Sequence, residues 1–400
     1  MSSFLFVSAQ LPGHLDWGGY LSTAMVLQQQ GHAVLWTSGK AVAQLVAQAA
    51  VPFHPLAETG WRWPPPPPLP AQPNVDATTL QRLRAERALD QWLEEERVAR
   101  AYTELLALGR TWQPDVVIGE MFSSAAGLVA EALAKPFVVA GWPAMQHSVS
   151  QANMPLVIAA RARLERLLQQ FHLSGINWTV DGPPALLSSQ LHLTYWSERW
   201  YGDMPLLPQT RHVGGRRPAV ERLQVDWSEE LPWVLITLGT SFGNDLNFFL
   251  AATQAASTLG CLPIVAHGGQ LSPEQLLKLQ SACPPETILV DQVNLDAILP
   301  NVAAAIHHGG AGTTHALVMH AVPQLVVPHA ADQIQQALGV VRSGVGLHLP
   351  AQQVTVEVLV DALARLLPDL APQRANAQSL RDDFANLGGA LTAAKLLCLV

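Results

Sequence analysis

Short hydrophobic runs alternate along this chain with segments in which hydrophobic residues recur at helical spacing. The runs Phe4–Ala9, Ala33–Thr37 and Asp115–Gly119 have the length of strands, whereas Tyr20–Gln30 has the spacing of a helix and is followed by Gly31. A glycine directly after a helical pattern is typical of a helix C-terminus. Strands that alternate with helices in this way predict a parallel sheet.

A second series of the same kind begins at Trp233. Its predicted strands are Trp233–Leu238, Leu262–Ala266, Thr287–Val290, Val302–Ile306, Gln324–Val327 and Val345–Leu349. Two such series predict an α/β protein with two Rossmann-like domains, at residues 1–212 and 232–373. The glycine-, proline- and charge-rich residues between them, 213–231, are then a linker. We expect residues 374–400 to contain a terminal helix that packs back on the N-terminal domain.

Two insertions interrupt the N-terminal series. Residues 61–73, WRWPPPPPLPAQP, cannot form a helix or a central strand, because proline lacks a backbone N–H and fixes φ. We expect a surface loop near a substrate cleft, and recognition by a domain that binds PxxP segments is the alternative. Ala77–Arg110 shows a long, charged helical pattern, and Met154–Phe171 shows another.

Composition narrows the classes of protein to which the chain can belong. Of its 400 residues 49% are hydrophobic and 14% are charged, and the net charge of −8 argues against nucleic acid as a partner. The three cysteines are odd in number and lack CxxC spacing, which favours a reduced, cytoplasmic setting. Neither a signal peptide nor an apolar run of about 18–20 residues is visible. We therefore expect a cytoplasmic monomer or homodimer without a transmembrane segment.

The segment from Ala303 to Gln333 carries the clearest chemical signal. A hydrophobic strand ends at two histidines, the glycine-rich turn His308–Thr313 follows, and a helical pattern begins there. Glycines allow a ligand to approach backbone N–H groups closely, and the positive end of a helix favours phosphate. The next strand brings Asp332 and Gln333 to the edge at which open α/β sheets bind ligands.

Three short motifs together resemble the family 1 glycosyltransferases of the GT-B fold. They are Pro12-Gly13-His14 after the first strand, Gly31-His32-Ala33-Val34 after the first helix, and His308–Thr313 with Asp332-Gln333. The bacterial macrolide, antibiotic and sterol-type members are the most similar, and the resemblance covers nearly the whole chain. It implies two Rossmann-like domains whose parallel sheets face each other across a cleft. It also implies an inverting transfer of a hexose from a nucleoside-diphosphate sugar to a hydroxyl group.

The resemblance assigns the catalytic residues. His14 takes the place of the family's general base, and an imidazole suits this task because its pKa lies near working pH. Glu120 stands after the fourth strand, where the family usually carries an aspartate that orients the base. The carboxylate is retained on a side chain one methylene longer. Without the resemblance, a loop histidine and a solvated carboxylate would be the simpler interpretation.

The donor site is also assigned by resemblance. His308 is expected at the α-phosphate, and Asp332 and Gln333 are expected at the sugar hydroxyls. Helix-terminal N–H groups stabilise a leaving diphosphate, so we expect no metal and no cofactor besides a UDP- or dTDP-hexose co-substrate. The remaining residues expected at the diphosphate are Thr240, Ser241, Gly310, Ala311, Gly312 and Thr313.

The nucleobase and the acceptor are less well determined. Gln292 stands where relatives stack an aromatic residue on the base, so recognition would rest on backbone groups at Val293, and uracil versus thymine stays open. Ten of the twelve tryptophans precede the linker, Trp17 and Trp142 among them in predicted loops. They favour a bulky, hydrophobic small-molecule acceptor.

Two alternatives belong to other functional classes. Residues 239–243, GTSFG, match the GxSxG pattern of α/β-hydrolases, which would make Ser241 the nucleophile of a serine esterase with Asp291 and either His308 or His329. That interpretation leaves the N-terminal half and the glycine-rich turn without a role. A catalytically silent, GT-B-like auxiliary binding protein is the other alternative, although its expected sign, damage at His14 or at the turn, is not visible.

Overall fold

The computed structural model of the chain describes residues 1–15, 18–64, 69, 75–141, 154–179, 184–215, 227, 230–239, 244–329 and 331–400. Of the residues in these ranges, the side chains of His14, Ala77, Ala85, Ala331 and Asp332 are not described.

The strands of the described ranges form two sheets, and every strand pairing within them is parallel. One sheet has the order β3-β2-β1-β4-β5-β6-β7 and the other the order β10-β9-β8-β11-β12-β13. The predicted α/β class with parallel sheets is therefore confirmed. The strands are β1 Ser3–Val7, β2 Ala33–Gly39, β3 Phe53–Leu56, β4 Val116–Gly119, β5 Phe137–Ala140, β6 Leu191–Thr194, β7 Thr210–His212, β8 Trp233–Thr237, β9 Leu262–Ala266, β10 Ile288–Val290, β11 Val302–His307, β12 Gln324–Val326 and β13 Gly346–His348.

Helices connect the strands, as parallel pairing requires. Short 3₁₀ helices lie at Pro12–His14, Lys40–Val42, Leu299–Asn301 and Ala351–Gln353. The α-helices are α1 Tyr20–Gln29, α2 Ala43–Gln48, α3 Ala77–Leu89, α4 Glu95–Trp112, α5 Ser124–Ala132, α6 Pro155–Phe171, α7 Glu198–Tyr201, α8 Leu246–Thr258, α9 Pro273–Ala282, α10 Leu295–Ile298, α11 Ala311–Met319, α12 Ala331–Arg342, α13 Val356–Ala364, α14 Pro372–Asn386 and α15 Gly389–Leu397. Within the described ranges, no helix is long and apolar enough to cross a membrane.

Two long helical predictions need correction. The pattern over Ala77–Arg110 is two helices, α3 and α4. Leu89 at the end of α3 and Leu93 in the turn between the helices are both completely buried. The terminal pattern is also two helices, α14 and α15. Gly388 and Gly389 separate them with φ values of 88° and 56°, a left-handed conformation that ends a helix.

The chain divides into two compact units. Unit 1 comprises 1–195, 204–213 and 389–400, and unit 2 comprises 196–203 and 214–388. Most of the predicted linker, 213–231, lies outside the described residues, so the domain boundaries inferred from the sequence stay a prediction.

In each sheet, alternate residues of an interior strand contact hydrophobic clusters on opposite faces of the sheet. In β1, Phe4 and Phe6 join one hydrophobic cluster, whereas Leu5 and Val7 join the cluster on the other face. In β8 of unit 2, Val234 and Ile236 face one cluster and Trp233 and Leu235 face the other. A strand that is buried on both faces reads as a continuous hydrophobic run, which is the pattern that predicted these strands.

Candidate functional site

In unit 2, the loops after β11 and β12 approach each other at the carboxyl edge of the sheet. Gly309 follows β11 with a φ of 89°. A Cβ atom at this position would lie 2.8 Å from the Val326 side chain and 3.0 Å from the Gln333 carbonyl oxygen. Only glycine fits both the backbone conformation and the space.

Helix α11 begins directly after this turn. Gly310 is its N-cap residue, no side-chain hydrogen bond caps the helix among the described residues, and the N–H of Thr314 donates to the Gly310 carbonyl at 2.9 Å. The N–H groups of Ala311, Gly312 and Thr313 precede that first helical bond, so they form the positive end of the helix. A Cβ at Gly312 would meet no described atom within 4 Å, which shows that there is open space at this turn. The turn therefore has the geometry of an anion site.

The side chain of His308 lies between the glycine-rich turn and Gly239. This side chain is buried, and a Cβ at Gly239 would come within 2.7 Å of its Cε1 atom. Burial lowers the pKa of His308 to about 4, electrostatic repulsion between His308 and His329 contributes, and a hydrogen bond to the Thr237 backbone opposes the shift. The ring is therefore neutral at pH 7. Its Nδ1 atom is buried and has no hydrogen-bond partner among the described residues.

The neighbouring His307 has a structural role. Its Nε2 lies 3.0 Å from Oε1 of Gln324, and its Nδ1 accepts the N–H of Gly309 at 3.2 Å. Burial lowers the pKa of His307 to about 3, and the neighbouring His308 contributes. A neutral ring held on both sides fixes the start of the glycine-rich turn.

The loop after β12 is held by its own side chains. Gln333 is buried, and its Oε1 accepts the N–H of His329 at 2.7 Å. The imidazole of His329 lies with Nδ1 2.8 Å from the Val327 carbonyl and Nε2 3.4 Å from Oδ2 of Asp245. Asp245 is also the N-cap of α8, because its Oδ1 accepts the N–H of Phe248. This contact joins the loop after β12 to the start of α8.

The predicted base-binding segment follows β10. Gln292 is exposed and Val293 is half-buried. Beside them, Asp291 accepts from Nε2 of His267 at 3.2 Å, while Nδ1 of that ring accepts the N–H of Gly269. These bonds set the tautomer of His267 and connect the loops after β9 and β10.

In unit 1, the predicted catalytic residues follow adjacent strands. His14 is the last residue of the 3₁₀ helix after β1, and Glu120 directly follows β4, which pairs with β1. Glu120 is 1% exposed, and its Oε1 accepts the N–H of Ala9 at 2.7 Å. Its own N–H donates to the Val7 carbonyl at 3.3 Å, so Glu120 ties the carboxyl ends of the two strands together.

Tyr20 reinforces this junction. Its hydroxyl lies 3.1 Å from the Val7 carbonyl and 3.2 Å from the Ile118 carbonyl. Burial raises the pKa of Tyr20 well above its usual value, and the charge of Glu120 raises it further. Asp115, by contrast, lies at the opposite edge of the sheet, where its carboxylate accepts from the N–H and hydroxyl of Ser3.

Several predicted residues lie beyond what the structure describes. Trp17, Trp142, Thr240 and Ser241 are outside the described residues, and for His14 and Asp332 only the backbone is described. Among the described residues, no group of three or more histidine, cysteine, aspartate or glutamate side chains could hold a metal ion.

Sequence reasoning missed Asp245 and Tyr20. The N-cap role of Asp245 could have been predicted, because an aspartate directly before a hydrophobic helical pattern is a typical N-cap residue. Its contact with His329 had no signal in the sequence, since the two residues are 84 positions apart.

Comparison with known proteins assigns this architecture to a class. Residues 260–389 match the family model described as erythromycin biosynthesis protein CIII-like, C-terminal domain. The chain is 29% identical over 291 residues to aklavinone 7-beta-L-rhodosaminyltransferase of Streptomyces galilaeus, covering 66% of this chain and 63% of that protein. It is 27% identical over 388 residues to 10-deoxymethynolide desosaminyltransferase of Streptomyces venezuelae, covering 89% and 88%.

Solved structures show the same fold. The glycosyltransferase of kitacinnamycin superposes with a TM-score of 0.78 at 20% identity, covering 99% of this chain and 98% of that one. Spinosyn rhamnosyltransferase complexed with thymidine diphosphate gives 0.70 at 22% identity, covering 99% and 100%. The chain therefore has the GT-B fold of these glycosyltransferases. In sequence, the chain is similar to bacterial macrolide and antibiotic glycosyltransferases.

Proposed function

We propose that this protein transfers a hexose from a nucleoside-diphosphate sugar to a hydroxyl of a hydrophobic small molecule, with inversion at the anomeric carbon. The observation that carries the proposal is the start of α11, which presents the N–H groups of Ala311, Gly312 and Thr313 without a side-chain cap among the described residues. The names of the relatives support the class of reaction, because they describe sugar transfer to aklavinone and to 10-deoxymethynolide.

The diphosphate of the donor would bind at this helix start. As the glycosidic bond breaks, the leaving nucleoside diphosphate gains negative charge, and the helix N-terminus stabilises that charge. The neutral His308 lies next to Gly310 in the turn and would contact the α-phosphate. Since the helix supplies this stabilisation, we propose that transfer does not depend on a metal.

The nucleotide of the donor would be UDP or dTDP. A related structure contains thymidine diphosphate, which supports a nucleoside-diphosphate donor for this chain. Gln292 is exposed and offers a carboxamide rather than an aromatic ring. Hydrogen bonds to the base from the backbone at Val293 would then replace stacking.

His14 would act as the general base. In this scheme, its imidazole takes the proton of the acceptor hydroxyl, and the oxygen attacks the anomeric carbon from the face opposite the diphosphate. An α-linked donor therefore gives a β-glycoside. Glu120 would stabilise the imidazolium, and its position after β4, next to the strand that leads to His14, supports this role.

A thermal-shift screen tests the donor assignment. UDP, dTDP and GDP and their glucose conjugates are added to the purified chain, and a ligand at one hundred times its Kd stabilises by about 2.7 kcal/mol. We expect a shift with the UDP or dTDP compounds. If none of these nucleotides stabilises the folded protein, the proposed function is wrong.

A matched pair of variants tests whether the diphosphate binds at the start of α11. In Ala311→Asp, the new carboxylate lies in the first turn of α11, where it favours the helix but repels a diphosphate. Ala311→Asn has nearly the same shape without the charge. We expect the nucleotide-induced shift to disappear in Ala311→Asp and to persist in Ala311→Asn. Equal shifts in the two variants would place the diphosphate elsewhere.

A further inference from the structure

The donor half of the chain is poor in fixed positive charge. Between positions 233 and 345, Lys278 and Arg342 are the only lysine and arginine residues in the sequence. Lys278 pairs with Glu274 along α9 at 2.8 Å, and Arg342 donates to the carbonyls of Trp200 and Tyr201. Within positions 233–345, the other positive groups that a diphosphate could contact are helix termini and histidines.

His329 is a histidine at this edge whose two ring nitrogens both face acceptors. Its Nδ1 faces the Val327 carbonyl at 2.8 Å and its Nε2 faces the Asp245 carboxylate at 3.4 Å. Both partners are acceptors, and a neutral imidazole carries only one N–H. A protonated ring donates to both acceptors, whereas each neutral tautomer donates to only one of them.

The pair lies beside the phosphate turn. The N–H of His329 is bound by Gln333, whose carbonyl oxygen lines the space at Gly309. His329 also interacts electrostatically with His308 next to the turn, and this interaction favours the neutral form of His308. Asp245 is 40% exposed and could therefore exert its charge on a bound anion.

We propose that the donor diphosphate binds the form of the protein in which His329 is protonated, so that the His329–Asp245 pair determines donor affinity. The inference rests on the proposed function of this edge as the nucleotide-sugar site. When His329 loses its proton, the carboxylate of Asp245 is no longer compensated, and it then repels the incoming diphosphate.

The direction of the pH dependence follows from linkage. Binding that favours the protonated ring is strongest at low pH and weakens as pH rises through the deprotonation of His329. Of the described side chains, those facing His329 with a titratable group are Asp245 and His308. His308 stays neutral because burial lowers its pKa to about 4, and Gln333 and the Phe248 ring carry no charge.

Calorimetric titration with UDP-glucose and dTDP-glucose from about pH 5.5 to about pH 8.5 tests the proposal. These diesters keep both phosphate charges throughout the range, so any proton exchanged belongs to the protein. In buffers of different ionisation enthalpy we expect uptake of up to one proton on binding. The dissociation constant should rise by about tenfold per pH unit once the ring is deprotonated.

Variants of His329 and Asp245 test whether this pair causes the pH dependence. His329→Gln should bind more weakly at low pH and lose the pH dependence, whereas Asp245→Asn should bind more tightly than the wild type at about pH 8.5. The matched control is His320→Gln. His320 forms a similar pair with Asp296, 3.1 Å apart, but directly follows the far end of α11. It should keep the wild-type pH dependence.

Each outcome has one meaning. A His329→Gln variant with wild-type affinity and slope would overturn the inference, as would binding by the wild type without proton uptake. If His329→Gln does not fold, the inference is tested by proton uptake in the wild type and by the affinity of Asp245→Asn at about pH 8.5. Absence of binding by the folded wild type at every pH would instead contradict the proposed function.

Discussion

The imidazole of His308 fills the space that a side chain at Gly239 would occupy. A Cβ there would lie 2.7 Å from Cε1 and 2.9 Å from Nε2 of the ring, and Gly239 has a φ of 68°. The loop after β8 therefore packs directly against His308, which lies next to the glycine-rich turn.

Substitution of Gly239 by alanine should disturb nucleotide binding. The left-handed backbone alone costs an alanine about 1–2 kcal/mol of stability. In Gly239→Ala the methyl group must in addition displace His308, so nucleotide affinity should fall. Thermal shift with UDP and dTDP measures both effects.

Gly260 offers a matched control for this experiment. Its φ is 69°, and a Cβ there would meet no described atom within 4 Å. Gly260→Ala should lose similar stability and keep its nucleotide affinity. Equal nucleotide affinity in the two variants would show that His308 does not support the site.

Two substitutions of Glu120 should separate its structural role from its electrostatic role. Glu120→Ala leaves the buried N–H of Ala9 without its acceptor, which costs about 1–3 kcal/mol. Glu120→Gln keeps an oxygen for that N–H and removes the charge. We expect near-normal stability in urea for the glutamine variant but reduced turnover, since a neutral amide does not stabilise an imidazolium. A fully active Glu120→Gln would exclude the electrostatic role.

Stability should fall below neutral pH because three buried histidines resist protonation. Burial lowers the pKa of His192 to about 4, of His307 to about 3 and of His308 to about 4. In the unfolded chain these rings take up protons near pH 6.5, roughly the free value, so the unfolded state is favoured as pH falls from there toward about 4. Each ring contributes about 1.4 kcal/mol per pH unit in that window.

Urea denaturation between about pH 7 and about pH 5 measures this effect. His192 lies in unit 1, where its Nε2 accepts the N–H of Ser188 at 2.9 Å. Glutamine can accept the same bond, so His192→Gln should reduce the pH dependence of unit 1. The exposed His54 provides the control, and His54→Gln should leave the dependence unchanged. The same slope in both variants would mean that His192 titrates normally in the folded state.

The strands were largely predictable because burial on both faces leaves a continuous hydrophobic run. β3 was not predicted, since its sequence, FHPL, is short and contains a proline that only an edge strand accepts. β7, with the polar sequence TRH, was missed for the same lack of a hydrophobic signal. The helical periodicity continued across Gly388, and the break there depends on the left-handed backbone of the two glycines.

The candidate site also has features that the sequence predicted and features that it could not predict. The glycine-rich turn was visible in the sequence, because a turn that binds phosphate needs glycines and a helix start next to each other. The partners of His329 were not visible, since Asp245 reaches it only through the packing of two loops. The structural role of Gln333, whose oxygen holds the N–H of His329, likewise depends on tertiary contacts.

The most direct test is the turnover of His14→Ala with the donor selected by the thermal-shift screen and a hydrophobic alcohol acceptor. Loss of a general base lowers turnover by about 10²–10⁴-fold. We expect that loss together with an unchanged nucleotide Kd, because the proposed donor site lies in unit 2. The wild type should yield a glycoside with inverted anomeric configuration. Full turnover by His14→Ala, or retention of configuration in the wild-type product, would contradict the account.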